Sequence, residues 1–349
     1  MRSAVFVACF SASLLLVTES VGQAPGASST QPQPTPAPLP AAPEQPVVPP
    51  PAEPAPAAAP PAPTPAKPPL YSLPWGLRPA QPVSVLRLDT VIAPHTIKAE
   101  DGTVSGETTV VGMALASYKV TPYFAPFLRM GFVQNGDTTG ATNLATGATL
   151  GVPLDGPMRV AFFLGFAFPL GSGGGDKPDT EAAAADWQKA GATVRKGILT
   201  RSAMDNAMFA MNDFTIFPGV DVAYVAHGLT VQAEVTILNL TRAQADKAQV
   251  DSSKTNLTTG LHVGYFFIPM LSAGVDLRYQ HWLSTPAAVA ADPTGDSRNN
   301  VSFALGVRGH FNVHKSLWIR PGVSYGRLLD LPASNSDYNL IQIDVPILF

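Results

Sequence analysis

Residues 341–349 read Ile-Gln-Ile-Asp-Val-Pro-Ile-Leu-Phe. Ile341, Ile343, Val345, Ile347 and Phe349 fall on one face, and Gln342, Asp344 and Pro346 on the other. A period of two belongs to a β-strand with one apolar and one wetter side. A soluble protein rarely leaves such a strand bare at its end, so this stretch predicts the closing strand of a transmembrane β-barrel.

Working outward from it, the same unit recurs from residue 82 onward. Strands are expected at Val83–Pro94, Thr108–Lys119, Phe124–Val133, Leu144–Val152, Arg159–Leu170 and Phe214–Ala226. Six more follow at Leu229–Leu240, Asn256–Phe267, Leu271–Trp282, Val301–Phe311, Leu317–Gly326 and Asn339–Phe349. Twelve is an even number, as a single-chain barrel with both termini on one side requires. Short links such as His227–Gly228 and Ile268–Met270 alternate with long ones such as His95–Ser105, Gln134–Asn143 and Gly171–Asp213. Short periplasmic turns alternating with long external loops are the pattern of outer-membrane barrels.

The faces agree. In the fifth strand Val160, Phe162, Leu164, Phe166 and Phe168 share one parity. In the ninth, Leu271, Ala273, Val275, Leu277 and Tyr279 oppose Ser272, Gly274, Asp276, Arg278 and Gln280. One side suits lipid and the other a lumen. Tyr118, Tyr123, Tyr224 and Tyr265 near the short turns, and Phe168, Phe214, Tyr279, Trp282 and Tyr325 near the long loops, read as two aromatic girdles. The expected fold is an all-β, transmembrane, antiparallel up-and-down β-barrel of about twelve strands over residues 82–349, with a helical insertion in the third external loop.

The terminus quoted above resembles the C-terminal assembly signal of Gram-negative outer-membrane β-barrel proteins, in which a terminal aromatic residue follows alternating apolar ones. The resemblance implies that Ile343, Val345, Ile347 and Phe349 engage the barrel-insertion machinery, and that the protein resides in the outer-membrane lipid bilayer of a Gram-negative cell.

The beginning of the chain fits that destination. Residues 1–22 read as a signal peptide: Arg2 is the basic start, Ala4–Val17 an apolar stretch too short to span a bilayer, and Ser20 and Gly22 the small residues before cleavage. The only cysteine, Cys9, lies inside it, so the mature chain offers no disulfide, thiolate site or cysteine nucleophile. Residues 23–69 are an Ala/Pro-rich tract in which proline removes donors and favours polyproline II. This tract is expected to be a disordered periplasmic tail, either a tether to peptidoglycan or a passive spacer. Residues 70–81 are too apolar for such a linker, which makes the segment a plug for the periplasmic mouth or, through Trp75, an interfacial anchor.

With a net charge of −3 nothing is basic enough to suggest a nucleic-acid partner, and 13% charged residues is low against the roughly 25% of ordinary soluble domains. The six histidines are scattered, so nothing implies a metal or another cofactor. The one His-x-Ser, His314-Lys315-Ser316, falls in a short turn, and Gly171–Asp176 lacks the Lys-Ser/Thr of a phosphate loop. No enzyme is indicated.

Function is sought in two places. The inward charges are Arg87, Asp89, Arg129, Asp221, Glu234, Asp276, Arg278, Arg308, Arg320 and Asp344. They either line a selective lumen or form cross-strand ion pairs that hold a small lumen together. The long loop 171–213 carries a helix capped by Thr180, with Trp187, Val194 and Ile198 on its apolar stripe, and a second helical patch from Arg201 to Met211 with Met204 and Met208. Those apolar faces need burial, so the loop is either a constriction over the pore or an external cap. The reading is a narrow channel or passive transporter for a small solute of unidentified class. The alternative is a non-transporting structural or surface-interaction barrel.

Overall fold

Alternating residues pair from stave to stave until the last strand meets the first. The computed structural model describes residues 71–98, 103–245, 252–284, 286–291, 298–314, 316–329 and 337–349, so the expected signal peptide and Ala/Pro tract lie outside the described residues. Its strands are β1 (Val85–Lys98), β2 (Val104–Ser117), β3 (Phe124–Asn135), β4 (Thr138–Ala141), β5 (Leu144–Val152), β6 (Met158–Phe168), β7 (Asp213–Ala226) and β8 (Leu229–Arg242). They continue as β9 (Ser253–Ile268), β10 (Leu271–Trp282), β11 (Asn299–Gly309), β12 (Phe311–His314), β13 (Leu317–Ile319), β14 (Gly322–Leu328) and β15 (Asn339–Leu348). Three helices interrupt them: α1 (Glu181–Thr200), α2 (Asn206–Phe209) and α3 (Ala287–Ala290).

Three staves are broken in two: β4 and β5 at Thr142–Asn143, β11 and β12 at His310, and β13 and β14 at Arg320–Pro321. Counted as staves the ring has twelve members and is closed, because β1 pairs with β15 from Val85↔Leu348 to Ile92↔Ile341. Closure leaves no unpaired edge, the condition for a sheet in hydrocarbon. Every expected strand is present, and the loops differ. The β1–β2 hairpin runs out to Lys98↔Val104, well into the expected link 95–105. The expected link 134–143 is mostly strand: β3 runs on to Asn135, and β4 folds back on it by a tight turn at Gly136–Asp137. Staves that overrun the apolar belt keep their hydrogen bonds as long as their neighbours do, which hydropathy alone does not reveal.

The outer face carries Leu88, Phe132, Phe162, Leu277, Leu305 and Ile343, all exposed. An apolar belt of this extent marks a surface covered by lipid rather than water. Ile343 and Phe349 are exposed on it, with Val345 and Ile347 half-buried beside them. Trp282 departs from the expected girdle. It shares parity with Asp276, Arg278 and Gln280 and packs inward against the apolar cluster of the long loop.

Candidate functional site

Twelve staves enclose more space than their own inward side chains fill; eight-stranded barrels are filled by side chains, and 16–18-stranded ones leave an aqueous channel. Here the space is taken by two pieces of the chain, one from each mouth.

The first is the segment 71–82. It lies against the short-turn end, where Ala80 packs on Ala223 and Val225, and its tip reaches mid-lumen. Leu73, Trp75, Leu77 and Ala80 are all buried. The wall binds mainly its backbone. Asp276 Oδ2 accepts from the Trp75 and Gly76 amides at 3.0 and 2.9 Å, and Glu234 Oε2 accepts from the Arg78 amide at 2.7 Å. The Ser72 amide donates to Thr230 Oγ1 at 2.9 Å. Going the other way, Arg87 donates to the Pro74 and Trp75 carbonyls, Gln342 to the Trp75 carbonyl, and Gln232 to the Arg78 carbonyl. Tyr71 closes the base, its hydroxyl donating to Gln232 and accepting from the Ala80 amide.

The second piece is the loop 171–213, which enters from the opposite mouth. Thr180 stands at the N-cap of α1, but its side chain makes no capping bond. The buried face of α1 is built on small residues as well as Val194: Gly191 lies against Gly173, and Gly197 against Phe209 and Val133. Absent side chains let the helix settle on the inner surface of β3 and β4. At its end Ser202 and Ala203 take positive φ, and the Ala203 amide bonds the Ile198 carbonyl at 2.8 Å. That wrap stops the helix and turns the chain back into the lumen. The second helical patch is therefore only the four residues of α2. Asn143 pins it, donating to the Ala207 and Ala210 carbonyls at 2.9 and 2.8 Å, which explains the break between β4 and β5.

The ladder register supplies an electrostatic reason for both insertions. Asp221 stands directly opposite Glu234 across β7 and β8, and Asp89 directly opposite Asp344 across β1 and β15. Like charges facing each other across a ladder destabilise it. Each pair receives an arginine from one of the inserted segments. Arg78 Nη1 bonds Glu234 at 2.9 Å while its guanidinium lies 4.2 Å from the centre of the Phe163 ring. Arg201 Nη1 bonds Asp89 at 2.7 Å. The wall itself answers Asp344 with Arg87 and Arg308, at 2.8 and 2.6 Å. Arg201 also grips Asp205, which Arg129 holds in two parallel bonds of 2.6 and 2.7 Å. Burial opposes ionisation of Asp205, but Arg129 and Arg201 outweigh it and hold the carboxyl well below the usual carboxylate range.

All ten expected inward charges sit on the inner face, buried or half-buried. They are not one cluster: Arg129 serves the loop, Asp276 and Glu234 the segment 71–82, and Arg278 its neighbour Asp276 at 3.3 Å. Arg320 reaches the Tyr71 carbonyl at 3.4 Å. Of the expected loop residues, Val194 and Met208 join the buried cluster, Ile198 packs against it, and Met204 lines a cavity. Trp187 stays at the top of the loop, its indole bonded to the Gly174 carbonyl at 3.0 Å.

Ser72, His262 and Asp276 are linked in the order of a hydrolytic triad, with 3.3 Å from Ser72 to His262 and 2.6 Å from His262 to Asp276. All three are buried, and Asp276 Oδ2 is taken by the Trp75 and Gly76 amides, so no substrate reaches the hydroxyl and the chain is a structural one. Between the two inserted segments remain two adjoining cavities that give a water molecule about 40 and 50 Å³ of room. That is enough for a few waters.

Sequence reasoning missed Arg78, Arg201, Asp205, Asn143, Gln232 and Gln342. One signal was available: the two-residue turn His227–Gly228, both at positive φ, sets the β7–β8 register and so puts Asp221 opposite Glu234.

No protein-family model matches the chain, and no curated protein matches it in sequence. Solved structures resemble it in shape. The NanC porin is 9% identical with a TM-score of 0.43, over 75% of this chain and 98% of the porin. The KdgM porin in complex with disordered oligogalacturonate is 10% identical with a TM-score of 0.41, over 74% and 99%. An outer membrane channel from Pseudomonas putida F1 is 12% identical with a TM-score of 0.45, over 77% and 97%. The chain is a closed antiparallel twelve-stave β-barrel.

Proposed function

We propose that this protein is a passive channel for a small solute, held shut by its own chain. The observation that carries the reading is that two segments outside the barrel ladder, 71–82 and 171–212, enter the lumen from opposite mouths, and the two cavities between them hold a few waters each. A segment held by side-chain and backbone hydrogen bonds leaves without breaking a single inter-stave pair. Side chains of the wall do not. In this reading the short turns face the periplasm, the Ala/Pro tract that precedes Tyr71 in sequence lies on that side, and the loop 171–213 guards the external mouth.

One observation favours the structural alternative. Arg87, Asp344 and Arg308 tie β1, β15 and β11 together by ion pairs within the wall itself, as a wall built for rigidity would. Single-channel conductance in a planar bilayer separates the two. The mature chain is compared with a form lacking residues 180–211 and with a form whose residues 71–81 are replaced by an equally long Gly/Ser stretch. A channel gives a small or intermittent current in the parent and larger steady currents in the variants. Silence from all three, with the barrels shown to be folded, establishes the structural reading.

A further inference from the structure

Resting on the channel reading, the segment 71–82 has the marks of a bound ligand, and we infer that it occupies the solute's own site: the open lumen takes a short, bent, arginine-bearing peptide. The wall recognises the segment as a protein recognises peptide backbone. Thr230, Glu234 and Asp276 accept from the main-chain amides of four residues, and Arg87, Gln232 and Gln342 donate to three main-chain carbonyls. Donors and acceptors from several staves, placed for amides and carbonyls alike, suit a polypeptide. A sugar presents hydroxyls without that strict polarity.

The side-chain contacts narrow the class. The Asp221–Glu234 pair, roofed by the Phe163 ring at 4.2 Å from the guanidinium of Arg78 and by Phe217 at 5.4 Å, is a site for one cationic planar group. Arg78 uses it incompletely: Asp221 Oδ2 is buried with no hydrogen-bond partner. A second site, where Arg308 lies 4.3 Å from the Trp75 ring centre, takes an aromatic side chain. Gly306 and Gly322 make room for that ring, since a Cβ on either would run into it. The self-segment carries Trp75 and Arg78 at that spacing, with Pro74 and Pro79 fixing φ on either side of the bend at 75–77.

The test uses the full chain with residues 71–81 replaced by Gly/Ser, reconstituted in detergent and in bilayers. The probe is a fluorescent synthetic peptide of residues 71–82. Expected is saturable binding at least tenfold tighter than for the Arg78→Ala peptide or a scrambled one, block of any current by the same peptide, and no competition by oligogalacturonate. Equal binding of all three peptides, or displacement by the oligosaccharide, overturns the inference. Peptide binding without current in any variant removes the channel reading and leaves a peptide-binding barrel. Current without peptide binding keeps the channel and removes the peptide. Should the Gly/Ser form not fold, the chain lacking residues 71–81 altogether empties the site and answers the same question.

Discussion

The segment 71–82 and the loop 171–213 fill one lumen from opposite mouths, yet the wall holds them by different chemistry. The first is bound through its backbone by polar groups of several staves, and only Trp75, Leu77 and Arg78 contribute much through side chains. The second is held mainly by side chains, an Arg129–Asp205–Arg201–Asp89 chain of ion pairs below and an apolar cluster around Val194, Met208 and Phe209 above, with Asn143 adding bonds to its backbone. Backbone contacts tolerate changes of sequence and fail when a wall acceptor is lost. Side-chain contacts fail residue by residue.

The strongest way to break the comparison is Asp276→Ala. It removes the acceptor of two amides and leaves Arg278 and His262 without their carboxylate partner, a loss of about 3–5 kcal/mol if it behaves as other broken buried pairs do. The expected outcome is release of the segment, seen as chymotrypsin cleavage after Trp75, with the loop still protected from trypsin at Lys196. Protection of Trp75 in the variant would mean that side chains hold the segment after all.

Arg201→Ala acts on the other side. It takes the loop's cation from Asp89 but leaves Arg129 on Asp205, so about 3 kcal/mol is expected, the lower end of the same range. Trypsin cleavage after Lys196 should appear while Trp75 stays protected. The same latch has a pH signature. Because the Asp205 carboxyl is depressed in the folded chain, its contribution is fully present above the ordinary carboxylate value near pH ~4 and is lost as pH falls through its lower folded value. Loop release in acid should therefore start only below about pH 4, and Asp205→Asn should be loosened already at neutral pH. The smallest effect is expected from Gly197→Ala. The added methyl meets Phe209 and Val133, and overpacking of this kind costs about 1–3 kcal/mol. A modest rise in loop cleavage, with Trp75 untouched, would show that the α1 contact is tight.

Much of the barrel was legible in the chain because its evidence is local. Alternation in Leu271–Trp282, the tight turn at His227–Gly228, and the parity that turns Arg278 and Arg308 inward follow from side chains pointing alternately and from the cost of charge in lipid. The Asp221–Glu234 opposition was within reach for the same reason, since a two-residue turn fixes register. Trp282 was misread because belonging to a girdle was judged from position along the strand, where parity decides the face.

What the sequence by itself determined is the wall: twelve staves, their faces, and the sign of each inward charge. Only the tertiary structure decided what that wall encloses. Asp89 meets Asp344 because of how far the sheet is staggered when it closes, a quantity distributed over all twelve staves and written in none of them. Once closed, the ring holds two opposed carboxylate pairs and a space its own side chains do not fill. Burying those pairs bare would be costly, and so Arg78 and Arg201, which in sequence are ordinary cations, are drawn inside.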